Sequence, residues 1–126
     1  MRISIVMVFF LVSLQVIAQQ GFDAYRLKFV GTWSIENGSR LTTVTWNKDG
    51  TWASKTTNEG KEIFSLKGVW WAIDGKLHGV CLEASDPEII KGEDEASKVT
   101  EITADYYVIE NRNGILKKYK RVKKPA

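Results

Sequence analysis

Few side chains in this 126-residue chain could do chemistry, and their spacing limits what that chemistry could be. The chain has a single histidine, His78, and a single cysteine, Cys81. Three positions apart on an extended segment, they point to opposite faces and cannot work as a nucleophile and its base. A zinc site would need Cys81, His78 and carboxylates together, and no ligand spacing supports one, so no metal is expected. One thiol also excludes an intrachain disulfide, and Cys81 is expected to lie inside as a small apolar residue. Carboxylates crowd one stretch, with Glu83, Asp86, Glu88, Glu93, Asp94 and Glu95 all between positions 83 and 95. No EF-hand pattern surrounds Glu93-Asp94-Glu95, so a solvated acidic loop over 83–96 is expected rather than a calcium site. Asn37-Gly38-Ser39 matches a glycosylation sequon, and a hairpin turn explains the same three residues. The basic run from Lys117 to Lys124 is interleaved with Tyr119 and Val122, as lysines protecting an edge strand would be. A net charge of +3 is too small for a nucleic-acid groove. These residues predict neither an enzyme nor a bound cofactor.

The elements that position these groups begin after a leader. Arg2 precedes an apolar run over 3–12 (ISIVMVFFLV), and Val16-Ile17-Ala18 fits a small-residue cleavage site. The run is short for a membrane span of about 20 residues. A signal peptide over 1–18 and a single exported domain over 19–126 follow, periplasmic or extracellular, with no membrane span after cleavage. Loss of Arg2 leaves 17 basic against 15 acidic residues in that domain.

A short helical turn is expected over 22–28, with Asp23 as its cap. The rest reads as strands and turns. Residues 29–36 (FVGTWSIE) place Phe29, Gly31, Trp33 and Ile35 on one face, and Asn37-Gly38 is the expected turn into 41–46 (LTTVTW). Lys48-Asp49-Gly50 fits a three-residue loop with Gly50 in the left-handed bulge position, which sets Asn47 against Thr51 and Trp46 against Trp52. A further turn over 57–60 leads to a long strand over 62–73, with Phe64, Leu66, Gly68 and Trp70 in phase. Asp74-Gly75 then turns the chain into 76–82. Strands over 98–103, 106–110 and 115–122 complete the count, with Ile115, Tyr119 and Arg121 in phase on the last. About eight strands in consecutive hairpins, with no helix long enough for a crossover, predict an all-β, up-and-down antiparallel meander closing into a small barrel.

The sequence Gly-x-Trp occurs three times, ending at Trp33, Trp52 and Trp70, with spacings of 19 and then 18 residues. That period is one hairpin, so the tryptophans enter the core from alternate strands. Gly50 is a turn residue. Gly31 and Gly68 fall inside strands, where glycine marks a bend or the close approach of another backbone.

"FVGTWSI" near the start and "YKRV" at the end resemble the Gly-x-Trp and terminal-arginine signatures of the calycins, the lipocalins and fatty-acid-binding proteins. "TWNKDGTW" followed by "GVWWAIDGKLHG" is similar to small bacterial exported lipocalin-like domains. The resemblance implies a barrel whose closed end holds Trp33, with the Arg121 guanidinium over its indole as a structural stack. It also implies a small apolar ligand inside, for which Trp46, Trp52, Phe64, Leu66 and Trp70 are the candidate contacts, with core packing as the alternative for each. A second function class is a protein-interaction or inhibitor module using the outer face or the acidic 83–96 loop. Its best candidate is Trp71, which is out of phase with Trp70: either the 22–28 segment covers it, or it is exposed.

Overall fold

Alternation of apolar and polar residues recurs in nearly every segment between turn signals, and a chain of hairpins with one apolar face buries that face by curling on itself. A computed structural model describes residues 24–123. The leader over 1–18 and the capping position Asp23 lie outside the described residues. A single helical turn over residues 24–27 precedes eight strands. These are β1 (Gly31–Asn37), β2 (Arg40–Trp46), β3 (Thr51–Asn58), β4 (Lys61–Ile73), β5 (Lys76–Ala84), β6 (Asp94–Ile102), β7 (Tyr106–Glu110) and β8 (Leu116–Arg121). Each pairs antiparallel with the next, and β1 pairs with β8 through Trp33↔Arg121 and Ser34↔Lys120, closing the barrel.

The hairpin between β2 and β3 has the expected register: Trp46 faces Trp52, and the Asn47 amide donates to the Thr51 carbonyl. Other connections depart from expectation. Asn37 pairs with Arg40, so the two loop residues between β1 and β2 are Gly38 and Ser39, with φ +63° at Gly38. A turn with glycine first matches the strand twist as well as the expected Asn-Gly turn would, so the register shifts by one residue. β3 and β4 also run further, leaving only Glu59 and Gly60 as a two-residue turn, both at positive φ.

The largest departure is at the acidic segment. Expected as a loop over 83–96, it is a loop only over residues 85–93. Glu83 and Ala84 end β5, and Asp94 to Ala96 begin β6 through Val80↔Asp94, Gly79↔Glu95 and His78↔Ala96. Charge density there suggested solvation, but alternation lets one set of side chains face outward while the backbone completes a ladder. At the other end, β8 starts at Leu116, and Ile115 lies before it, exposed.

The two strand glycines answer to different neighbours. A Cβ at Gly31, where φ is +133°, would lie 2.5 Å from the Arg121 Nη1. A Cβ at Gly68 would lie 1.8 Å from the Val80 carbonyl oxygen, where the β4–β5 ladder shifts register between Lys67 and Gly68. At Gly68 the neighbour is backbone, so only a residue without a side chain fits; at Gly31 the positive φ favours glycine, and a Cβ would push the end of the Arg121 side chain aside.

Candidate functional site

The helical turn and the connections after β2, β4 and β6 gather at one end of the barrel, and this end is filled. Trp33, Phe29 and Tyr107 are wholly buried. The Tyr107 ring stands edge-on to Phe29 and to Trp33, with centroids 5.5 and 4.7 Å apart. Such geometry suits the negative face and positive edge of aromatic rings. Trp33 Nε1–H donates to the Phe29 carbonyl at 2.8 Å. The Arg121 guanidinium carbon sits 4.0 Å from the Trp33 ring centroid. Its nitrogens donate to the carbonyls of Ala104, Val30 and Lys28 at 2.6, 3.0 and 3.2 Å. One side chain thus satisfies carbonyls from the β6–β7 turn and from the end of the helical turn, an arrangement that uses the planar fork of arginine. The second Arg–Trp contact here is Arg26 over Trp70, at 5.2 Å, with the Arg26 Nη2 donating to the Lys48 carbonyl.

Above this plug the barrel is hollow. A cavity of about 410 Å³ opens toward the connections after β1, β3, β5 and β7. Four of the five candidate contacts line it: Trp46, Trp52, Phe64 and Leu66. Trp70 does not. It lies beneath the cavity, packed on Trp46 at 5.4 Å, with its Nε1–H donating to the Asn47 carbonyl. Its in-phase position holds, since Trp70 is buried on the inner face, but at its depth that face is filled by its neighbours.

The floor is Tyr107, whose hydroxyl accepts from Trp46 Nε1 at 3.2 Å, with Tyr119 stacked on it at 4.9 Å. Burial raises the phenol pKa of both tyrosines above the ordinary 10.0, strongly for Tyr107, so both stay protonated at neutral pH. Polar residues line the middle of the walls. Thr42 and Thr56 share a hydroxyl hydrogen bond of 2.8 Å, and Ser54 and Ser97 lie beside and across from them. Glu93 and Glu95 from the β6 side and Lys117 from β8 also line the cavity. Cys81, expected to be buried, is half-buried on the cavity wall, with its thiol donating to the Glu83 carbonyl at 3.3 Å. It faces inward as its phase required, but the inside is hollow at that level.

Several cavity residues are not among those expected from sequence. Glu95 fell in the expected 83–96 loop and Ser97 between that loop and the expected 98–103 strand, and inward phase has no meaning outside a strand. Tyr107 and Ile109 carried a usable signal in the alternation of "YYVIE", which places them on one face.

The outer wall carries a different group. Trp71 is 37% exposed and uncovered by the helical turn, which packs near Trp70 instead. Its ring stacks on His78 at 4.9 Å and 13°, and His78 Nδ1 lies 3.1 Å from both Asp94 carboxylate oxygens. Val69 and Leu82 are exposed on the same strands, beside a surface groove that Lys67 and Trp52 help to line. His78 and Cys81 are on opposite sides of the wall. Among the described residues, no group of three His, Cys, Asp or Glu side chains could hold a metal ion, and no helix is long and apolar enough to cross a membrane.

No family model matches the chain, and no curated protein resembles it in sequence. In fold it is similar to a protein of Bacteroides thetaiotaomicron solved by NMR, with a TM-score of 0.57 and 13% identity over 76% of this chain and 90% of that one.

Proposed function

We propose that this protein is an exported lipocalin-like carrier or sensor that binds a small, largely apolar ligand inside its barrel. The observation that carries the reading is the cavity of about 410 Å³ above a filled closed end, with aromatic side chains at its base and polar ones higher up. That volume falls in the range of small-molecule sites, which are mostly apolar with a few polar groups to fix orientation. The plug of Trp33, Tyr107 and Arg121 supports a division of labour, with one end supplying stability and the other left free to bind. The lipocalin-like assignment draws support from the Gly-x-Trp and terminal-arginine residues meeting at the closed end. Export draws support from the apolar run over 3–12 alone. Binding rather than catalysis is favoured because His78 and Cys81 are separated by the barrel wall.

The neutral fluorophore N-phenyl-1-naphthylamine tests the reading. Its emission should rise saturably at one molecule per barrel, with quenching of Trp46 and Trp52. A cavity-filling Ser54→Phe variant should lose that response while Trp71→Ala keeps it. A response absent in the parent protein, or unchanged in Ser54→Phe, would remove the cavity as the site.

A second reading is favoured by the outer face, where Trp71, Val69 and Leu82 are exposed together. Aromatic residues of this kind are enriched at protein interfaces. On this reading the barrel is an interaction or inhibitor module, and Trp71→Ala abolishes partner binding while leaving the fluorophore response intact.

A further inference from the structure

We infer that the cavity selects a ligand whose polar end is positively charged, an amine or quaternary ammonium on an apolar body, over a carboxylate of the same length. The inference rests on the reading of the cavity as a binding site. Three observations point the same way. The first is the charge of the lining, where two carboxylates, Glu93 and Glu95, face one ammonium, Lys117. Glu93 and Glu95 are two positions apart where the chain enters β6, so they share a face. Both are exposed, and among the described residues neither lining carboxylate forms a salt bridge to a basic side chain.

The second observation is what lies beside the carboxylates. Glu95 stands opposite Gly79 in the β5–β6 ladder, and a Cβ at Gly79 would lie 3.7 Å from Trp52 Nε1. With no side chain at position 79, the Trp52 ring and the Glu95 strand border the same space. The Trp52 N–H is already given to the Val69 carbonyl, so this edge of the indole has no hydrogen bond left to offer an anionic head. A cation is attracted by the Glu95 carboxylate through charge, and a carboxylate head is repelled by it.

The third observation is the placement of the arginines. The planar fork of arginine is the side chain that pairs a carboxylate with two parallel hydrogen bonds. Arg121 is held by three carbonyls and the Trp33 face, and Arg26 by the Lys48 carbonyl and Trp70, while Arg40 begins β2 and Arg112 lies in the β7–β8 connection, both at the open end. No arginine lines the cavity among the described residues.

The test is displacement of N-phenyl-1-naphthylamine from the full barrel at neutral pH by three ten-carbon probes: decylamine, decan-1-ol and decanoate. Decylamine should displace at about tenfold lower concentration than decan-1-ol, as charge-assisted contacts allow, and decanoate should be the weakest. In a Glu93→Gln, Glu95→Gln double variant, decylamine should fall to the level of decan-1-ol, with decan-1-ol unchanged and circular dichroism confirming the fold. Each single variant should lose part of the preference. Equal displacement by all three probes, stronger displacement by decanoate, or a preference that survives the double variant would overturn the inference while leaving the cavity reading intact. Failure of the fluorophore to bind at all would remove the cavity reading and this inference with it.

Discussion

Trp33 and Trp52 hold matched places in a repeated Gly-x-Trp, one hairpin apart, yet one belongs to the plug and the other borders the cavity above it. Trp33 is fully buried, its N–H on the Phe29 carbonyl, one face under Arg121 and its edge against Tyr107. Trp52 also has its N–H satisfied, by Val69, and packs on Trp46 at 5.9 Å, but part of it borders open cavity. The same motif thus makes a plug where the chain ends converge and a cavity wall where they do not. The helical turn and the Arg121 fork supply the difference, because they fill the closed end with groups from distant parts of the chain. At the open end the β5–β6 ladder stops at Val80↔Asp94, and among the described residues nothing comparable fills the space.

The comparison is most exposed to test at its strong end. Trp33→Ala should cost ~3–5 kcal/mol, a large share of the ~5–15 kcal/mol that holds a domain together. Chemical denaturation measures it. A loss below about 1 kcal/mol would mean that the closed end is not the stabilising half.

Tyrosine ionisation probes the boundary between the halves. Tyr25, Tyr107 and Tyr119 are raised by burial, and Tyr106 chiefly by its hydrogen bond to Glu101. A folded-state pKa above the unfolded value means that the stabilisation is complete below pH 10 and declines as pH rises past it. Phenolate absorbance should therefore lag behind that of free tyrosine and then appear together with loss of the native near-ultraviolet dichroism. Full ionisation at ordinary pH with the dichroism intact would place Tyr107 and Tyr119 in water and dissolve the floor between plug and cavity.

The smallest effect is expected outside both regions. Trp71→Ala removes a stacked partner of His78 from a position 37% exposed, so it should cost about 0.5–1.5 kcal/mol, the range for aromatic pairs. A thermal melt of this variant beside Trp33→Ala orders the two. Equal losses would make the outer stack part of the core and weaken the case for an exposed interaction face.

Much of this architecture is legible in the sequence. Period-two alternation and turn chemistry act over a few residues, so the strand meander, the Trp46–Trp52 pairing and the inward phase of Phe64, Leu66, Tyr119 and Arg121 could be read from local sequence. Strand ends were less legible. The Gly38-Ser39 loop and the early start of β6 depend on which partner strand is available, and side-chain type at those positions says little about that. What the tertiary structure alone decided is depth. Inward phase says that Trp70, Trp52 and Cys81 face the axis; it does not say whether the axis is occupied at their level. Trp70 meets Trp46 in the filled part, while Trp52 and Cys81 border the hollow. Occupancy depends on how strand shear, the bulge at Gly68 and side chains from opposite walls meet across the barrel. Those contacts join residues far apart in the chain, whereas periodicity is a property of neighbours.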